Sequence, residues 1–315
     1  MSAVPRPPLD RAALGRTLTR IANAGGRAAL NELIALPALP ALSARRIGLT
    51  GSPGTGKSTL VRALAAASLA QGRRVGVVAV DPSSPYSHGA ILGDRIRMGE
   101  VAGHPELFFR SLASRSAHDG LADNLAAVLC AMERHDFDEL LVETVGTGQA
   151  EVSVRALVDC VVLVLMPESG DQIQAMKAGV TEIADVLVVN KADLPGAGRI
   201  AAEVKDTLRL RRYGAGQWVP PVILTSRDDA ASHRALAQAI EARFAWRRDD
   251  ETARRRERAA YHARSLLNQR IEELLGELPP ETFDLPLREV HRELARRLSD
   301  DQEIVGADSN KLMDA

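Results

Sequence analysis

The sequence predicts an α/β fold, a mostly parallel sheet with helices on both faces and helical additions at each end. Three observations predict it. Short runs rich in Val, Ile and Leu recur between Arg46 and about Phe244 without apolar–polar alternation, as strands buried on both faces require. Longer stretches with apolar residues at helical spacing separate them, for example Leu121, Leu125, Val128, Leu129 and Met132. A glycine-rich loop, Gly51 to Ser58, directly follows the first apolar run and opens a helical stretch.

Taken in order, the chain begins with two helices. Leu14, Leu18 and Ile21 mark the first, Leu30, Leu33 and Ile34 the second, with Gly25-Gly26 as the break and Pro37 and Pro40 as the stop. The predicted strands are Ile47 to Thr50, Val75 to Val80, Leu107 to Arg110, Leu140 to Glu143, Val161 to Leu165, Val186 to Val189 and Val222 to Thr225. After Trp246 the pattern changes. Arg247 to Arg258 carries dense charge of both signs, a solvated stretch rather than a nucleic-acid patch. Leu267, Ile271, Leu274, Leu275 and Leu278 then form one helical stripe. Leu287, Val290, Leu294 and Leu298 form another beyond Pro279-Pro280. The implied division is an N-terminal helical extension over 1–44, a nucleotide-hydrolase domain over 45–246, and a C-terminal helical hairpin over 247–315. The hairpin is a candidate dimerisation region, within one subunit or between two. The end beyond Asp300 reads as frayed.

Composition narrows the functional classes. A chain of 315 residues, 45% hydrophobic, can bury a full core. A net charge of -1 gives no general pull toward nucleic acid or anionic membranes. No apolar run approaches the roughly 20 residues of a membrane helix, and Met1 to Asp10 does not look like a secretory signal. Cys130 and Cys160 lie in apolar segments and read as buried free thiols in a reducing cytosol. The histidines never fall at metal-ligand spacing with each other or with a cysteine, which argues against zinc. The expected setting is cytoplasmic.

Gly51-Ser52-Pro53-Gly54-Thr55-Gly56-Lys57-Ser58 is a complete phosphate-binding loop between a strand and a helix, and makes the fold a P-loop NTPase. Glycines let the backbone wrap phosphates with its N–H groups, and the helix N-terminus adds a positive dipole end. Lys57 is placed to reach the β- and γ-phosphates, the Ser58 hydroxyl to ligate Mg²⁺, and Thr59 to face the α-phosphate. Asn190-Lys191-Ala192-Asp193 directly follows a strand. A carboxylate at Asp193 can accept from guanine N1–H and the 2-amino group, which adenine lacks at those positions. Lys191 can lay its methylenes along the purine, and Asn190 can brace the loop. Thr225-Ser226, at the last strand's end, would donate backbone N–H groups to the guanine O6.

Glu143 ends the run Leu140-Leu141-Val142, where Mg²⁺ needs an acidic partner, and Gly146 would offer its N–H to the γ-phosphate. Many GTPases carry Asp there and Gln just after the Gly. Here Thr147 and Gly148 intervene, so Gln149 is an offset candidate for positioning water, and slow intrinsic hydrolysis is expected. Asp81 and Asp94 are open to two readings, carboxylates facing the Mg²⁺ crevice or plain capping residues.

Several strings together resemble one family. They are Val80-Asp81-Pro82-Ser83-Ser84-Pro85, Ala90 to Met98 with Gly93-Asp94-Arg95, Val142 to Gln149, and Asn190-Lys191-Ala192-Asp193. They resemble the MeaB/ArgK GTPases, G-protein chaperones of adenosylcobalamin-dependent acyl-CoA mutases such as methylmalonyl-CoA mutase, over roughly Leu9 to Phe244. The resemblance implies a homodimer that binds Mg²⁺ with GTP or GDP, gates cofactor loading and protects the mutase. It also implies that Asp81, Asp94 and Glu143 line the Mg²⁺ site, and that Ser169 to Lys177 is a further switch near the partner. His88, where the family usually has Gly, and Ser114 to Gly120, without the usual Gly-Gly pair, depart from the pattern. A metallochaperone GTPase for a nickel enzyme is the alternative; Cys130 and Cys160 are poorly placed to serve it. A phosphotransferase reading lacks an identifiable acceptor site or base.

Overall fold

The computed structural model describes residues 6–36, 44–81, 98–113, 124–144, 154–167, 183–211, 213–214, 216–246 and 251–299. Seven strands form one sheet: β1 (Arg45–Thr50), β2 (Val75–Asp81), β3 (Leu107–Ala113), β4 (Glu139–Glu143), β5 (Cys160–Leu165), β6 (Val186–Val189) and β7 (Val222–Leu224). Their order is β3-β2-β4-β1-β5-β6-β7, and every adjacent pair is parallel. Each predicted strand is present. β1 and β3 run further than predicted, because Arg45 and Arg46 begin the first and Ser111 to Ala113 continue the second.

The central strands are buried on both faces. Leu140, Val142, Val78 and Val161 pack on one face with Leu14, Leu18 and Ile21 of α1 (Arg11–Asn23), Leu33 of α2 (Gly26–Ile34), and Leu125, Val128 and Leu129 of α4 (Leu125–Glu133). Ile47, Leu49, Val75 and Leu141 pack on the other, with Leu60 and Leu64 of α3 (Lys57–Ala70) and Leu236 and Ile240 of α6 (Ala230–Trp246). A third cluster joins Leu163, Leu187 and Val189 to Ile200 and Val204 of α5 (Ala197–Leu210). Full burial of one Leu or Ile side chain contributes about 1.5–3 kcal/mol, so these three clusters dominate the stability.

The N-terminal helices thus cover one face of the sheet. Asp10 caps α1 by accepting from Ala13 N–H at 2.8 Å. The long helix α7 (Glu251–Glu277) also meets this side, with Tyr261 against the α1/α4 cluster. Arg258 of α7 reaches the buried Asp159 at 3.2 Å, and Asp159 accepts from the Arg46 N–H at 2.9 Å. Arg46 is itself paired with Glu133 at 2.9 Å. A helix over 287–299 follows a 3₁₀ turn at Pro280–Asp284. The apolar stripes of this C-terminal region are unevenly used: Leu274, Leu278 and Val290 are buried, whereas Leu267, Phe283, Leu285 and Leu287 are at least half exposed. Cys160 is buried as expected, but Cys130 is only partly so. Burial pushes both thiols above the usual thiol range. Among the described residues no helix is long and apolar enough to cross a membrane.

Candidate functional site

The site forms at the carboxyl ends of the strands, beside β1, where chain connections diverge to either side of the sheet. The phosphate loop leaves β1 at Gly51, whose φ of +140° and whose position against β5 both require glycine. A Cβ there would lie 2.2 Å from the Val164 carbonyl oxygen. Gly56 ends the loop at φ +90°, and a Cβ on it would lie 2.3 Å from Asn190 Nδ2. The helix α3 then starts at Lys57. Lys57 is buried, and its Nζ donates to the Gly51 and Ser52 carbonyls at 2.7 and 2.9 Å. The loop is drawn around its own lysine, close to where negative phosphate oxygens would be held. Thr55 donates its hydroxyl to the Ser52 carbonyl at 3.0 Å, while Pro53 and Gly54 are exposed at the tip. Ser58 and Thr59 are half-buried on the first turn of α3, where the helix dipole favours an anion.

Ser58 and Glu143 are brought together although 85 residues separate them. The Ser58 hydroxyl donates to Glu143 Oε1 at 2.6 Å. Glu143 is buried, and its second oxygen, Oε2, has no hydrogen-bond partner among the described residues. A buried carboxylate oxygen left without a donor calls for a cation, and a hydroxyl with a carboxylate is a hard oxygen donor set suited to Mg²⁺. The register adds the main chain of Asp81. Ala79 of β2 pairs with Glu143 of β4, and Asp81 lies two positions further along the same strand. Asp94, Gly146 and Gln149 lie outside the described residues, as do His88, Ser114 to Gly120 and Ser169 to Lys177.

The base loop is fastened to the phosphate loop. Asn190, buried, donates through Nδ2 to the Thr55 carbonyl at 2.7 Å and accepts at Oδ1 from the Thr225 hydroxyl at 2.9 Å. One side chain thereby ties the phosphate loop to the ends of β6 and β7. Lys191 holds φ +57°, a left-handed conformation uncommon outside glycine, with its Nζ 3.5 Å from Met166 Sδ. This bend leaves Asp193 exposed at the rim. Thr225 differs from its expected role as a backbone donor, because its N–H is already spent on the Val189 carbonyl at 2.9 Å. Its hydroxyl braces Asn190 instead. Of the pair, Ser226 remains, with its N–H held by Ser232 Oγ only at 3.4 Å. The Asn190–Thr55–Thr225 bracing is not legible from spacing, since the sequence names Asn190 but not its partners. The brace uses the Thr225 hydroxyl but only the main-chain carbonyl of Thr55, which no residue type announces.

A glycine-rich loop on a helix N-terminus, a hydroxyl–carboxylate pair beneath it and a fastened Asn-Lys-x-Asp loop define a P-loop nucleotide hydrolase of the guanine-selecting kind. The comparisons carry this to a family. The profile of the family described as methylmalonyl-CoA mutase-associated GTPase MeaB matches residues 14–278. A putative GTPase of Pyrococcus abyssi is 41% identical over 218 residues, 69% of this chain and 67% of that one. A probable GTPase of Mycobacterium tuberculosis is 40% identical over 235 residues, 73% of this chain and 69% of its own. The crystal structure of an LAO/AO transport system kinase superposes with a TM-score of 0.68, covering 92% of this chain and 94% of that one at 24% identity, a likeness of fold. The chain belongs to the MeaB family and is a GTPase.

Proposed function

We propose that this GTPase is a nucleotide-switched chaperone of an adenosylcobalamin-dependent acyl-CoA mutase of the methylmalonyl-CoA mutase type, gating cofactor loading and protecting the mutase. The observation that carries the proposal is the family match over residues 14–278, since that family is described as mutase-associated. In this reading the nucleotide draws Lys57 from the Gly51 and Ser52 carbonyls onto the β- and γ-phosphates, and the loop N–H groups wrap them. Asp193 accepts from guanine N1–H and the 2-amino group, and Asn190 holds the base loop in register with the phosphate loop. Ser58 and Glu143 would hold Mg²⁺, with Asp81 and Asp94 as further oxygen ligands or partners of its waters. When bound, that ion neutralises charge building on the phosphate oxygens. Gly146 would sense the γ-phosphate, and Gln149 would orient the attacking water.

No glutamine directly follows Gly146, so a partner that orders the loops is expected to speed hydrolysis. Lys177 and Asp171 to Gln174 are the candidate partner-sensitive segment. The test is GTP hydrolysis with and without the cognate mutase, alongside mutase inactivation during turnover. Stimulation of about tenfold, or about 1.4 kcal/mol off the barrier, is the expected result. Lys177→Ala should blunt it with GTP affinity intact. Unchanged hydrolysis and no protection with every plausible mutase would remove the chaperone reading and leave the GTPase standing. The working unit is proposed to be a homodimer involving the helical flanks. Light scattering should return about twice 33.8 kDa, and a monomer in both nucleotide states would contradict this.

A further inference from the structure

Two threonines sit at the junction between the phosphate loop and the segment that carries Glu143. Thr50 ends β1 and is followed by Gly51; Thr144 directly follows Glu143 at the end of β4. Both are completely buried, and neither hydroxyl has a hydrogen-bond partner among the described residues. They are neighbours across the sheet. Leu49 pairs with Glu143, and Thr144 N–H donates to the Leu49 carbonyl at 3.0 Å, so Thr50 and Thr144 follow as the next lateral pair. Strand alternation puts both on the face of Gly48 and Val142, opposite the face on which Glu143 meets Ser58.

A buried hydroxyl without a partner is costly, whereas valine has nearly the same shape and fits a buried strand better. On β4 the positions before Thr144 on this face are Leu140 and Val142, and on β1 the position before Thr50 is Gly48. Among the described residues of β1 and β4, hydroxyls on this face appear only where the strands hand over to the functional loops. Adjacent strands lie about 4.8 Å apart, which is the span of one water accepting and donating bonds of about 2.8 Å to a hydroxyl on each side. A buried water held by polar groups is a stable part of a fold.

We propose that Thr50 and Thr144 are positioning residues for GTP hydrolysis, whose hydroxyls share one buried water that fixes the end of β4 against the start of the phosphate loop. The bridge sets where the Glu143 carboxylate stands relative to Ser58 without touching nucleotide. The proposal rests on reading Glu143 as the cation-side carboxylate. The Mg²⁺ requirement of Glu143→Gln tests that reading separately from the threonines.

The experiment is a double-mutant cycle of Thr50→Val and Thr144→Val, with Thr144→Ser as the conservative variant. Melting, GTP affinity, kcat and KM are measured for each. A shared water makes the cycle non-additive: each single variant strands the other hydroxyl and melts below wild type, while the double variant recovers above both. All three should lose about tenfold in kcat with little change in GTP affinity, and Thr144→Ser should keep wild-type kcat. Two independent hydroxyls would instead give single variants that melt at or above wild type and add, and that result overturns the shared water. Unchanged kcat in the double variant overturns the positioning role, whatever the melting shows. Should a single variant fail to fold, the double variant and Thr144→Ser still decide, since a folded double variant with wild-type kcat refutes the proposal.

Discussion

Asn190→Ala is the sharpest probe of how the two nucleotide loops are held together. The alanine removes both bonds of the brace, Nδ2 to the Thr55 carbonyl at 2.7 Å and the Thr225 hydroxyl to Oδ1 at 2.9 Å. The Thr225 hydroxyl, in a fully buried side chain, is left with no acceptor at that position, and the Thr55 carbonyl loses its side-chain donor. Each stranded buried group costs about 1–2 kcal/mol, so the variant should be destabilised by about 2–4 kcal/mol. That exceeds the usual effect of a surface loop substitution, which is within about 0.5 kcal/mol. Equilibrium urea unfolding without nucleotide reads this directly, and calorimetry reads the functional half. Because the base and phosphate loops lose their shared anchor, GTP should bind at least about tenfold more weakly. Asn190→Asp keeps the acceptor for Thr225 but sets an oxygen against the Thr55 carbonyl, so it should not rescue binding. A stability within about 0.5 kcal/mol of wild type, with GTP affinity unchanged, would refute the brace.

Three further outcomes follow from the same geometry. Lys57→Ala should abolish tight GTP binding, since it removes the buried cation of the phosphate loop; near-wild-type affinity by calorimetry would contradict the loop assignment. Asp193→Asn should weaken GTP and favour xanthosine triphosphate, whose C2 carbonyl needs a donor. Competition of ATP with GTP at similar concentrations in the wild type would contradict guanine selection. Hydrogen bonding to Arg45, with Arg73 as a second partner, holds the Glu241 carboxyl at about 2, below its ordinary 4.5. A depressed carboxylate stabilises above its unfolded pKa and stops doing so as pH falls through the folded one. Stability should therefore decline between about pH 4.5 and pH 2, and Glu241→Gln, followed by acid unfolding, should flatten that part of the profile. An identical acid limb in the variant would place the acid sensitivity elsewhere.

The sheet is legible in the sequence because its strands are buried on both faces, and burial of that kind leaves unbroken apolar runs with no polar alternation. Strand starts are less legible. Arg45 and Arg46 look like loop residues by composition, yet each has carboxylates waiting: Glu139 and Glu241 for the first, Glu133 and Asp159 for the second. Those partners are distant in sequence and leave no local pattern. The phosphate loop and the Asn190 to Asp193 loop can be read because their chemistry is local. Ser58 and Glu143 stand out in the sequence as two candidate Mg²⁺ ligands, but their direct hydrogen bond depends on the fold. The role of Thr225 is only partly legible, because sequence cannot show that its N–H is spent on the sheet. The C-terminal stripes include residues such as Leu267 and Leu287 that this chain leaves exposed, since helical spacing reports an apolar face but not what covers it.

Phosphate release from GTP and from ATP, with Mg²⁺ and with chelator, by wild type and Glu143→Gln, decides whether this is a Mg-GTP site. In the proposed site the loop from Gly51 to Ser58, the Asn190 to Asp193 loop and the Ser58–Glu143 pair act together on Mg-GTP. Such a site turns over GTP and not ATP, loses turnover on chelation, and shows a raised Mg²⁺ requirement in the variant. Equal turnover of ATP, or a Glu143→Gln enzyme with an unchanged Mg²⁺ requirement, would contradict it.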